Sequence, residues 1–261
     1  MAHDPAHVKR LFKTHATKLP LTSAARLLLI FALALNLLPF AEGKGRRRAP
    51  SLGSAAVVVD ERLSALRDAP DTSANLLQRL GRGRYVGVTG EKRSREGLVF
   101  LRVAVTSRTS GWIQSEALAR PSRAGEDARL FRLVQGSEEF DRLARARIFL
   151  EAFPRSSLRP TVLLLFGDAA EAAAARLTRE AARRLDAREM EAGGAPPSSY
   201  FRNYSGLDRW RRQGVVFDFD AEAKQFHYDG AAFREILRRY PRTPEATEAR
   251  TRLQALTAAP R

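Results

Sequence analysis

Five side chains within a dozen residues could do chemistry: Asp218, Asp220, Glu222, His227 and Asp229. Clustered carboxylates can ligate a hard cation through oxygen, or work with an imidazole as general acid and base. Strand alternation would put Asp218 and Asp220 on one face, about 7 Å apart. No glycine lies between Asp218 and Asp229 to make the sharp turn of a calcium loop, and no second acidic cluster accompanies them. A solvated hairpin face is therefore the favoured reading. The rest of the inventory narrows the chemistry further. The chain has no cysteine, which excludes disulfides, thiolate metal sites, a cysteine nucleophile and a lipidated N-terminal cysteine. Of the four histidines, His3, His7 and His15 precede any folded-looking segment, so His227 is the one base open to a Ser-His-Asp arrangement. A multi-histidine zinc site has no ligands. No metal and no cofactor are expected.

These residues need a hairpin to hold them. Val215, Phe217 and Phe219 alternate with Val216, Asp218 and Asp220, and Phe226 and Tyr228 flank His227, which predicts a β-hairpin at about 215–228 turning through Ala221–Lys224. Asp229 is placed to cap the following helix. Tyr200, Phe201, Tyr204 and Trp210 read as an aromatic packing cluster, with a ring-stacking sugar platform as the alternative, and Glu189–Ser198 reads as a flexible connector.

The chain has 261 residues and a net charge of +16. Residues 1–50 carry nine Lys/Arg against two acids, so nearly half of the excess lies in the N-terminal fifth. The remainder mixes both signs, as a solvated surface does, and nucleic-acid binding is not expected. Residues 1–26 form a basic leader ahead of Leu27–Ala41, fifteen residues without a charge. That order is the signature of a secretory signal, although fifteen residues are fewer than the ~20 a spanning helix needs. The segment reads as a cleaved signal or an uncleaved inner-membrane anchor, with residues 42–56 as linker.

Residues 57–120 switch to a period of two, with Gly, Pro and Asp turns between five short strands. Arg67 and Pro70 are followed by Leu80, Gly83, Val86, Val88 and Gly90, then by Gly111-Trp112-Ile113 and Leu118. In that order these residues resemble the bacterial SH3-like domain family. The resemblance implies a small antiparallel β-barrel and a non-catalytic binding module common in exported proteins that touch the cell wall. It does not imply recognition of proline peptides. Arg67, Tyr85 and Trp112 are the candidate binding residues, against the simpler role of building the turn and closing the barrel. The cell-wall peptidases that accompany such domains use Cys-His pairs or metal, which this inventory lacks.

From residue 121 to 261 the period becomes helical: Leu130, Leu133 and Val134; Phe140, Leu143 and Ala146–Phe149; and Asp168–Leu185. Phe149–Phe166 also echoes Ile236–Leu253 at an offset of 87 residues, each reading helix end, aromatic (Phe153 or Tyr240), Pro, Arg, Ser or Thr, then a new helix. The second copy, with Ala232, Phe233, Tyr240, Pro241, Thr243, Ala246 and Ala249, resembles the tetratricopeptide-like repeats of envelope lipoproteins and cell-division coordinators. That resemblance implies stacked helix pairs that hold a protein partner.

Together these expectations describe an α+β, two-domain chain: an SH3-like β-barrel, then a tetratricopeptide-like helical region with an inserted hairpin. The function expected is non-enzymatic, extracytoplasmic binding and scaffolding, one module on cell wall or an envelope component and the other on a protein partner, with N-terminal membrane contact if the anchor is retained. The alternatives are an envelope hydrolase using acidic residues, which needs two carboxylates ~6.5–9.5 Å apart across a cleft if inverting, and a basic nucleic-acid module.

Overall fold

Val57, Val58 and Val59 are apolar without a break, a pattern suited to a strand buried on both faces. The computed structural model describes residues 54–258. The basic leader, Leu27–Ala41 and most of the linker lie outside the described residues. Strand β1 (Ser54–Val58) sends Ala56 and Val58 into one hydrophobic core, with Leu66, Val86, Leu101 and Ile113. Its intervening residue Val57, together with Val59, enters a second core shared with Leu130, Leu143 and Phe149. The N-terminal strands and the helices thus pack on opposite faces of one strand.

The remaining strands of the sheet are β2 (Ala65–Arg67), β3 (Leu76–Arg79), β4 (Tyr85–Arg93), β5 (Val99–Ala104), β6 (Ser110–Gln114) and β7 (Leu118–Ala119). All neighbours pair antiparallel in the order β3-β2-β6-β5-β4-β1-β7. β3 and β7 stand at the two ends and are not bonded to each other, so the ladder does not close. The five expected strands become seven because Leu66–Leu80 folds into a hairpin of its own and Leu118–Ala119 returns to pair with β1. A 3₁₀ turn, Ser115–Ala117, connects β6 to β7. Gly111 is required by close approach: a Cβ there would lie 2.7 Å from the Arg67 carbonyl oxygen and 2.8 Å from Leu66 Cγ.

Helices α1 (Glu126–Gln135), α2 (Glu139–Ala152) and α3 (Arg159–Arg184) follow, then α4 (Ala187–Gly193), α5 (Pro197–Arg202) and α6 (Asp208–Arg211). After a hairpin of strands β8 (Phe217–Asp220) and β9 (Gln225–Tyr228), the chain ends in α7 (Ala231–Arg239) and α8 (Pro244–Ala258). The stretch expected as a flexible connector is largely helical. Asp186 accepts the Arg188 and Glu189 amides to start α4, and Pro197 supplies the fixed φ suited to the first turn of α5. No helix among the described residues is long and apolar enough to cross a membrane.

The sequence echo has a geometric counterpart. α2 stops at Phe153 (φ −122°) and α7 at Tyr240 (φ −131°), each in front of a proline. The Ser156 amide then donates to the Phe153 carbonyl at 3.2 Å, and the Thr243 amide to the Tyr240 carbonyl at 3.1 Å. Arg159 to Ser156 and Ala246 to Thr243 repeat the next bond. α2 and α3 form one helical hairpin, and α7 and α8 a second that packs against α3. The approach is tight at Gly167, where a Cβ would overlap the ring of Phe233. Phe149 and Phe233, both fully buried, each contribute ~1.5–3 kcal/mol relative to exposure.

A buried polar link ties the sheet to the helices. Arg145 of α2 is 5% exposed and donates from Nε to the Val59 carbonyl (3.1 Å) and from Nη1 to Ser137 Oγ (2.5 Å). Its Nη2 lies 3.7 Å from Asp60 Oδ2.

Candidate functional site

The hairpin forms where alternation places it, turning through Ala221–Lys224. Asp220 Oδ1 accepts the amides of Glu222 (2.8 Å) and Ala223 (2.9 Å), and Lys224 takes the left-handed φ of 52° that closes the turn. In the register Phe217↔Tyr228, Asp218↔His227, Phe219↔Phe226 and Asp220↔Gln225, the two faces differ completely in chemistry.

The aromatic face is packed. Phe219 stacks on Phe201 at 4.6 Å between centroids, and Phe217 meets the edge of Trp210 at 6.2 Å. Of the expected aromatic cluster, Phe201, Tyr204 and Trp210 are buried, whereas Tyr200 is half-buried and lies against Gly193. The outer edge of β9 is pinned to α3: Thr178 Oγ1 accepts the Phe226 amide (2.8 Å) and Glu171 Oε2 accepts the Tyr228 amide (3.1 Å). Tyr228 Oη accepts the Ala232 amide at 2.9 Å, and burial pushes its hydroxyl pKa well above the ordinary phenol value.

The polar face carries Asp218, Asp220 and His227 and forms one wall of a cleft of about 670 Å³. Leu253 and Leu256, an i,i+3 pair on α8, form the other wall. Two guanidinium groups also line the cleft. Arg234 pairs with Asp229 (3.4 Å), while Arg202 projects from the end of α5. Asp229 also accepts the Ala231 amide (2.9 Å), doing the expected capping work from one position before the cap residue, Gly230. Two atoms here are buried without a hydrogen-bond partner: Asp220 Oδ2 and His227 Nε2. Both atoms are closed off from solvent, whereas the carboxylates of Asp218 and Glu222 are exposed on the cleft and accept no bond in the fold. Among the described residues no group of three or more His, Cys, Asp or Glu side chains is placed to hold a metal ion.

Sequence reasoning found the acidic and histidine side of this cleft and missed Arg202, Arg234, Leu253 and Leu256. The leucine spacing reads equally as core, and the return of α8 past the hairpin is a tertiary property.

The residues expected to bind in the N-terminal module separate into two places. Arg67 and Trp112 are direct cross-strand partners on β2 and β6. Arg67 Nη1 donates to the Ala74 carbonyl at 2.6 Å, which closes the β2–β3 hairpin, and its side chain borders a small cavity of about 90 Å³ with Arg62, Arg79 and Phe100. Beside it Leu76 and Leu77 are each 50% exposed, one on either face of the edge strand β3. Tyr85, by contrast, pairs with Val57 and packs against the helical core. It is not brought together with Arg67 and Trp112.

Compared with protein-family models, with curated proteins and with solved structures, the chain matches none.

Proposed function

We propose that this protein is a non-enzymatic binding and scaffold protein of the cell envelope. Its N-terminal strands act as an SH3-like module on cell wall or an envelope component, and its helices act as a tetratricopeptide-like holder of a protein partner. The observation that carries the reading is the repeated turn: two helical hairpins, 87 residues apart, that share the same aromatic-Pro stop and the same pair of backbone bonds. The order of the strands supports the SH3-like half. A first strand, a two-strand hairpin, a three-strand meander, a 3₁₀ turn and a short last strand paired to the first follow in sequence. The extracytoplasmic assignment rests on Leu27–Ala41, outside the described residues.

The test is co-sedimentation of the full chain with isolated peptidoglycan sacculi at about 50 and about 300 mM salt, because screening separates charge steering from contact. Retained binding at the higher salt, abolished by Leu76→Ser with Leu77→Ser, is the expected result. Binding that vanishes at the higher salt would remove the wall from the reading and leave an adaptor between envelope proteins.

A further inference from the structure

The hairpin–α8 cleft has a charge opposite to that of the molecule around it. Asp218, Asp220, Glu222 and Asp229 line it against Arg202 and Arg234, in a chain of net charge +16. Arg234 is already matched to Asp229, whereas the exposed carboxylates of Asp218 and Glu222 accept no bond in the fold. Their oxygens accept from donors, and their uncompensated charge calls for a cation. The facing wall of Leu253 and Leu256 is aliphatic and suits the methylene stem of a side chain whose charged head lies across the cleft.

The backbone adds direction. β9 is covered along its outer edge by Thr178 and Glu171 of α3, while β8 pairs with no strand other than β9 among the described residues. Because the Phe226 and Tyr228 amides point away from β8, the residues that bond across the hairpin are Asp218 with His227 and Asp220 with Gln225. The backbone groups of Phe217 and Phe219 therefore point to the outer edge. An extended segment laid along that edge would present alternate side chains to Asp218 and Asp220, at a spacing of ~7 Å.

We propose that this cleft docks an extended segment of a partner polypeptide bearing lysine or arginine at alternate positions, with the stems on Leu253 and Leu256 and the cationic heads at Asp218 and Asp220. This rests on the helical half being partner-binding and gives that partner a chemistry.

The test uses the full chain and a fluorescent pentapeptide alternating valine and lysine, read by anisotropy at about 150 mM salt. Its comparators are the same peptide with glutamate for lysine, and a free polyamine. Asp218→Asn with Glu222→Gln removes two charges that accept no bond in the fold, and Asp220→Asn keeps the oxygen that holds the turn. The lysine peptide should bind, the glutamate peptide should not, and each variant should weaken binding about tenfold or more, equivalent to ~1.4 kcal/mol, at an unchanged urea midpoint. The proposal is overturned if the lysine peptide does not bind, if the variants bind it as the parent does, or if the polyamine binds as tightly as the peptide. Wall co-sedimentation of the same variants is read in parallel. Since it depends on residues of the N-terminal strands, its survival confines a failure to the cleft.

Discussion

Asp60 sits where the sheet meets the helices, and its surroundings set how the protein responds to acid. It is 4% exposed, and Arg62 donates to both of its oxygens, at 2.9 and 2.6 Å. Those bonds hold its carboxyl pKa below the usual 3.8, and Arg82 does the same for Asp141. A carboxylate depressed in the folded state contributes stability that is complete above its unfolded pKa and is lost as pH falls through the folded one. Urea midpoints should therefore decline below about pH 4, and Asp60→Asn, which keeps the cap oxygen, should flatten that decline. Identical acid limbs in parent and variant would show that Asp60 carries none of it. Arg145→Met tests the neighbouring link. It strips a donor from the Val59 carbonyl and a cation from beside Asp60, and should cost ~3 kcal/mol in a urea titration at neutral pH.

Among the elements, the closest contact makes the sharpest forecast. α3 and α7 meet at Gly167 and Phe233, so Gly167→Ala should destabilise by ~1–3 kcal/mol through overpacking, despite the ~1 kcal/mol by which alanine favours a helix interior. Phe233→Leu in the same background should recover part of the loss, and a Gly167→Ala protein as stable as the parent would mean the helices can separate freely. Gly111→Ala should loosen the β2–β6 pairing in the same way, visible as faster amide exchange in β2. The elements also divide into those the sequence announced and those it concealed. The β8–β9 hairpin was legible because four aromatics and four polar residues alternate on either side of the Ala221–Lys224 turn. The helix echo was legible because proline after an aromatic stops a helix wherever it occurs. α4 and α5 were hidden behind Gly193-Gly194 and Pro196-Pro197, which read as breakers although Pro197 starts a helix. The leucine wall of the cleft was hidden for another reason: an i,i+3 pair says which helix face is apolar, not what stands opposite it.

For the whole molecule, the two tryptophans provide a direct measure of how far the parts depend on one another. Trp112 belongs to the sheet and Trp210 to the helical core. The sheet and helices share β1 and the buried Arg145 link, so Trp112→Phe and Trp210→Phe proteins, each reporting from the remaining indole, should unfold at the same urea concentration once corrected for their own stability changes. Two separated transitions would mean that the sheet and the helices hold together independently.

β1 also has a consequence for how the chain is made. Synthesis delivers Ala55–Val59 before its pairing strand β7 and the packing helices α1 and α2, which follow roughly 60 to 90 residues later. At about 5–20 residues per second, the face of this strand that carries Val57 and Val59 waits several seconds uncovered, although β4 arrives sooner to pair with it. Whatever receives the nascent chain must shield it for that interval, and the first of the described strands is among the last to be finished.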